Sequence, residues 1–257
     1  MNIFVLMKRT FDTEEKIIIE NGRIDEEGAE FIVNPYDEYA LEEAIVLKEA
    51  HGGEITVVTV GEEEAEKELR TALAMGADKA VLLNMEDMDE AIDHYTIGEV
   101  LTAYFKDQEA DIILGGNVAV DDGAGQVASR LAEGLQMNQV TTITKLDIEG
   151  TKVTIERDVE GDVEIVETSL PLLVTCQQGL NDPRYPSLPG IMKAKKKPLE
   201  TIDFDDLDLD EEEIAAKTTT TDRFLPPEKG AGKVLEGSTE SQAQQLVELL
   251  KSEAKVI

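Results

Sequence analysis

Tryptophan is absent from this 257-residue chain, and aromatic residues make up only 4% of it. A packed core must therefore be aliphatic, and a hydrophobic fraction of 41% is enough to build one. The single cysteine, Cys176, excludes an internal disulfide and any multi-cysteine metal site. It closes an apolar run, which suits a buried structural thiol. Only two histidines occur, His51 and His94, and neither has a ligand partner at metal spacing. Bases are scarce: 24 Lys+Arg face 56 Asp+Glu, a formal net charge of −32. That balance argues against nucleic acid and against an anionic membrane surface as partners. No N-terminal signal is visible, and no apolar run approaches the length of a membrane span. The expectation is a cytoplasmic protein of bacterial or archaeal source. A salt-adapted source is one hypothesis for the acid excess, and unfolding midpoints that fail to rise between low and molar salt would contradict it.

The length allows one large domain plus an appendage. Residues 2–8, 54–60, 79–84 and 111–114 are short apolar runs that predict buried parallel strands. Between them, residues 36–50, 62–75 and 92–106 carry helical patterning. Pro35 suits a first helical position, and Gly52-Gly53 and Gly76 suit helix ends. Strands alternating with helices predict an α/β fold with a doubly wound, mostly parallel sheet. Residues 16–20 with the turn Asn21-Gly22 predict a small hairpin. Residues 140–146, 152–157, 163–168 and 172–175 follow without intervening helices and predict an antiparallel extension. Beyond residue 198 the composition turns acidic. Only residues 238–254, with Ser238 as cap, predict a helix there. The expected division is a nucleotide-binding domain over residues 1–198 and a C-terminal arm over 199–257.

Two stretches carry chemistry. The first, GGNVAVDDGAGQV, follows a strand and leads into a helix predicted over residues 123–134. Ligands bind at such places in open α/β sheets. Gly115, Gly116, Gly123 and Gly125 let backbone amides approach a ligand closely. A helix start near Gly123 points free N–H groups and a positive dipole end at an anion. Gln126 can donate from its amide. Of Asp121 and Asp122, one is expected to cap the helix and the other to hold a ribose hydroxyl or order the loop. The spacing matches neither the P-loop nor GxGxxG, so a glycine-rich connection without a ligand stays open on the residues alone. No Ser–His–Asp set, HxxEH or CxxC exists, and acidic pairs are too common to be informative.

The second stretch is residues 176–198, CQQGLNDPRYPSLPGIMKAKKKP. Between Pro183 and Leu199 it holds no acid, but it holds Arg184, Lys193, Lys195, Lys196 and Lys197. Pro183, Pro186, Pro189 and Gly190 rule out a continuous helix or a central strand. Leu188, Ile191 and Met192 are then apolar residues on a loop that cannot bury them locally, and Tyr185 and Pro189 join them as expected docking residues. A stiff basic loop with an apolar tip suits a docking surface. It equally suits a proline-rich linker with a solvated lysine run.

GLNDPRYPSLPGIMKAKKKP closely resembles the signature of the beta subunit of electron transfer flavoproteins. The resemblance extends over residues 1–200, including NPYDEYALEEA and ELRTALAMGADKAVLL, and weakens in the acidic tail. It implies that residues 176–198 are a recognition loop for partner dehydrogenases, with Leu188 inserting into a pocket on the dehydrogenase. It implies a structural AMP held by Leu6, by Asn34, Pro35, Tyr36 and Asp37, and by Val60. The site would be completed by Gly116, Asn117, Val118, Ala119, Val120 and the run Asp121, Asp122, Gly123, Ala124, Gly125, Gln126, Val127. Where several family members have a polar residue this chain has Val127, so backbone amides would have to suffice there. Asn34 could also serve as a helix cap.

The resemblance further implies a heterodimer with an alpha subunit that carries most of the FAD contacts and is embraced by the C-terminal arm. Electrons would come from acyl-CoA and related dehydrogenases and pass to a quinone oxidoreductase. Redox chemistry would belong to the flavin, so the subunit needs no catalytic residues of its own. An electron-bifurcating type, with NADH as donor and a second FAD in the AMP position, fits the same glycine-rich loop. A stand-alone adenine-nucleotide sensor would explain residues 1–135 but neither the basic loop nor the arm.

Overall fold

The computed structural model describes residues 1–88, 91–227 and 230–257. The chain forms two compact units, one of residues 1–18 and 24–221, the other of residues 19–23 and 222–257. Among the described residues, no helix is long and apolar enough to cross a membrane.

The larger unit opens with β1 (Asn2–Leu6) and β2 (Arg9–Phe11). A small excursion follows, with β3 (Ile18–Glu20) and β4 (Arg23–Asp25) pairing as a hairpin. Its turn residues Asn21 and Gly22 both have positive φ, as an Asn-Gly hairpin turn requires. Next come β5 (Phe31–Val33), antiparallel to β2, and helix α1 (Pro35–His51). Pro35 starts α1 and Gly52, with φ 72°, ends it.

The βαβ pattern then runs through β6 (Glu54–Gly61), α2 (Glu66–Met75), β7 (Lys79–Asn84), α3 (His94–Phe105), β8 (Ile112–Gly116) and α4 (Val127–Gly134). A 3-10 turn at Glu63–Ala65 precedes α2. The start of α3 is set by Asp93, whose side chain accepts from the amides of Tyr95 and Thr96 in a capping box. Four strands follow: β9 (Asn138–Glu149), β10 (Lys152–Val159), β11 (Asp162–Ser169) and β12 (Leu172–Cys176). The unit then holds α5 (Leu188–Ala194), β13 (Leu199–Asp203) and α6 (Glu211–Ile214).

Nine strands form one sheet in the order β11-β10-β9-β12-β8-β1-β6-β7-β13. Within this sheet, among the described residues, only the β9-β10-β11 meander is antiparallel, so the expected mostly parallel, doubly wound sheet is what the chain forms. Alternating side chains build two cores. Ile3 and Val5 of β1 and Ile112 and Leu114 of β8 pack on the α1 and α2 side, while Phe4 and Ile113 face α3 and α4.

Three expectations change. β12 does not extend the antiparallel meander: it inserts between β9 and β8, parallel to both. Its LLVTC run is buried along its whole length, as a central parallel strand must be. The sheet also continues past Pro198, because Leu199–Asp203 pairs with Ala80–Asn84 of β7, and the larger unit runs to Thr221. Third, α4 starts at Val127 rather than at Gly123, since Gly123 (φ 64°) and Gly125 (φ 59°) lie in the left-handed region.

The smaller unit contains α7 (Thr239–Leu249), with Ser238 as its cap: the Ser238 hydroxyl oxygen accepts from the Ser241 amide. Leu246 and Val247 are exposed on this helix.

Leu114 sits fully buried at mid-sheet, opposite Val5 on one side and Val174 on the other. Leu114→Ala is expected to destabilise the chain by about 2–5 kcal/mol. Chemical denaturation checks this, and a loss below about 1 kcal/mol would contradict a packed core at that point.

Candidate functional site

The C-terminal ends of β1, β6 and β8 open into a cavity of about 150 Å³. Leu6, Val58, Val60, Ile97 and Leu101 give it apolar walls. Its polar rim comes from Asn34, Lys8, His94, Asp122, Gln126 and the backbone of the loop between β8 and α4.

Asp37 holds the floor together. It lies in the first turn of α1 and is buried. One oxygen accepts from the Lys8 amide at 2.7 Å and the other from the Gly116 amide at 2.9 Å. These bonds tie the ends of β1 and β8 to the start of α1. Burial pushes its pKa up to about 7, against the opposing hydrogen bonds from Lys8, Asn34 and Gly116. Gly116 must lack a side chain because a Cβ there would come within 2.7 Å of Tyr36 Cβ.

Asn34 orders the loop. Its side-chain amide donates to the Val118 carbonyl at 3.0 Å, and its Oδ1 accepts from the Val120 amide at 3.2 Å. The expected role as a helix cap is not taken by this side chain, which makes no capping bond to α1. The first amides of α4 have no intrahelical acceptor, and no side-chain hydrogen bond caps the helix.

Neither Asp121 nor Asp122 caps a helix, because α4 begins later. Both instead grip Lys8, at 2.8 and 2.7 Å. Asp122 also accepts from the Ala124 amide and lies 3.0 Å from His94 Nε2. Desolvation pushes the Asp122 carboxyl up, but hydrogen bonds from Ala124, Lys8 and His94 outweigh it and hold the pKa at about 2. Lys8 and His94 were not foreseen from the sequence. Lys8 carried a signal, since it is the basic end of the first apolar run, whereas His94 is brought in by the placement of α3.

Of the other expected contacts, Leu6, Val60, Asn117, Val118, Ala119, Gly125, Gln126 and Val127 line the cavity with Gly116. Pro35, Tyr36, Val120, Asp121, Gly123 and Ala124 do not line it. They shape the helix start and the loop around it.

A second surface lies on the same unit. The Pro-rich basic stretch is not wholly a loop: Ser187 caps the seven-residue helix α5, with Pro189 in its first turn. Gly190 lets α5 approach α2, since a Cβ there would collide with the Ala74 carbonyl. Tyr185, Leu188 and Met192 are 93%, 79% and 73% exposed. Lys193, Lys195 and Lys196 are exposed as well. Two expected docking cations are otherwise engaged. Arg184 pairs with Glu42 and Glu49. Lys197 donates to the Leu73 and Ala77 carbonyls at the end of α2.

The raised Asp37 pKa has a definite sign. With a folded value of about 7 against an ordinary 3.8, Asp37 favours folding fully below about pH 4. That contribution is lost as pH rises through 7. The stability of wild type relative to Asp37→Asn is therefore expected to fall between pH 4 and 7 in denaturant titrations, and a constant difference would contradict it.

Comparison with known proteins identifies the family. Residues 21–207 match the electron transfer flavoprotein domain. The chain is 69% identical to the electron transfer flavoprotein subunit beta of Bacillus subtilis (strain 168), covering 100% of both chains. It is 41% identical to the subunit of the same name from Syntrophomonas wolfei, over 100% of this chain and 98% of that one. The caffeyl-CoA reductase-Etf complex subunit CarD of Acetobacterium woodii is 37% identical over 98% of both. These matches place this chain in the electron transfer flavoprotein family, as a beta subunit.

Proposed function

We propose that this chain binds AMP at the strand-end cavity and docks flavin dehydrogenases through α5 as the beta subunit of a heterodimeric electron carrier. The alpha subunit supplies most of the contacts to FAD. The flavin, when bound, supplies the redox chemistry, accepting electrons from acyl-CoA and related dehydrogenases and delivering them to a quinone oxidoreductase.

The donor set fits a nucleotide monophosphate. The uncapped start of α4, at Val127 and Ala128, lines the same cavity as the glycine-rich loop, and free helix-start amides suit an anion. Apolar walls from Leu6, Val58 and Val60 suit a purine face. Asn34 and Asp37 hold the loop and strand ends, and Asp122 with Lys8 keeps the mouth ordered. The C-terminal arm, with Phe224, Leu225, Leu246 and Val247 exposed, offers apolar surface for the alpha subunit.

The observation that carries the docking assignment is Leu188: an aliphatic side chain almost wholly in solvent on a helix whose backbone is held from both ends. Lys193, Lys195 and Lys196 beside it suit acidic partner surfaces and should govern association rate. Leu188→Ala is expected to lower electron transfer from an acyl-CoA dehydrogenase by about tenfold or more while leaving flavin content intact. Steady-state reduction of the purified heterodimer checks it, and an unchanged rate would remove the anchor role.

A further inference from the structure

The basic stretch contains two kinds of cation with different work. Lys193, Lys195 and Lys196 extend into solvent. Arg184 instead reaches back onto α1. Its Nε and Nη2 lie 2.9 and 2.8 Å from the two oxygens of Glu42, and its own backbone amide donates to Glu42 at 3.0 Å. Its Nη1 reaches Glu49 at 2.8 Å. The Glu42 side chain is only 7% exposed. Next to it, Asn181 donates to the Tyr39 carbonyl at 3.1 Å and to Glu43 at 2.9 Å. The far end of α5 is fastened to α2 by Arg70, which donates to the carbonyls of Ala194 and Lys197 at 3.1 and 3.0 Å.

A planar fork on a buried carboxylate fixes position and direction together, which a lysine cannot do. A guanidinium committed to two carboxylates is also not free to neutralise a partner's acid. Between Arg184 and the exposed Leu188 lie only Tyr185, Pro186 and the cap Ser187. Two of the three are conformationally restricted by proline or by capping. The fork therefore determines where the anchor side chain points.

We infer that Arg184 is a positioning residue for partner docking: its fork on Glu42 holds α5 in the geometry a dehydrogenase recognises, while the three exposed lysines supply long-range attraction. The inference rests on the docking role proposed for Leu188. Partner affinity then depends on preorganisation at Arg184 and on charge at the lysines, two contributions that salt separates.

The test uses the complete heterodimer and an acyl-CoA dehydrogenase that reduces it. KM for the heterodimer and kcat are measured at low and high salt, with amide exchange over residues 185–194. Arg184→Met is expected to raise KM about tenfold, leave kcat within about twofold and keep the salt dependence of wild type. Exchange should quicken over 185–194 while α1 stays protected. Arg184→Lys should fall between the two. Combining Arg184→Met with Glu42→Gln avoids a stranded buried carboxylate, so this pair keeps the test open if the single variant does not fold. Lys195→Gln with Lys196→Gln should instead flatten the salt dependence. An unchanged KM in Arg184→Met despite faster exchange would overturn the inference, as would a flattened salt dependence in that variant. If Leu188→Ala also leaves KM unchanged, the docking assignment falls with it. If Leu188→Ala raises KM and Arg184→Met does not, only the positioning role falls.

Discussion

Two backbone amides, Lys8 N and Gly116 N, point at one buried carboxylate, Asp37, and this contact fixes how β1, β8 and α1 meet. Two parallel strand ends leave amides that the sheet cannot pair, and a side chain from the adjoining helix is the nearest acceptor. Once Asp37 takes that place, Asn34 stands over the loop after β8 and Gly116 must stay bare beneath Tyr36. The cavity follows from these constraints. Further along, the same helix presents Tyr39, Glu42 and Glu43 to the segment after β12. One helix thus fixes both the loop after β8 and the approach to α5.

In a chain with more than twice as many acids as bases, several bases are taken up by specific acids. Lys8 is taken by Asp121 and Asp122, Lys48 by Asp78, and Arg184 by Glu42 and Glu49. Among the described residues, Lys193, Lys195 and Lys196 make no ion pair, and they stand beside the exposed Leu188 and Met192. These three lysines cluster at the end of α5 and just after it. Long-range attraction to an acidic partner needs charge that is not already neutralised.

Much of this was legible because local chemistry and tertiary packing agree. Pro35 and Gly52 bracket α1, and the apolar runs of β1, β6, β7 and β8 need burial on both faces. What was not legible depends on distant partners. The meander ends and β12 returns to the sheet centre, which strand propensity cannot distinguish from one more antiparallel strand. β13, LETID, looked like part of an acidic tail because only its contact with β7 makes it a strand. A seven-residue helix amid prolines is legible only once Ser187 is seen to cap it. Arg184 and Lys197 looked like members of a solvated basic run, and their acceptors lie more than a hundred residues away in sequence.

The central claim is that the strand-end cavity holds a mononucleotide in a subunit whose flavin sits mainly on its partner. The direct measurement is the nucleotide content of the heterodimer, with ligands released by denaturation and separated by chromatography. The account predicts one FAD and one AMP per heterodimer. Two FAD and no AMP would contradict it and move the function to electron bifurcation.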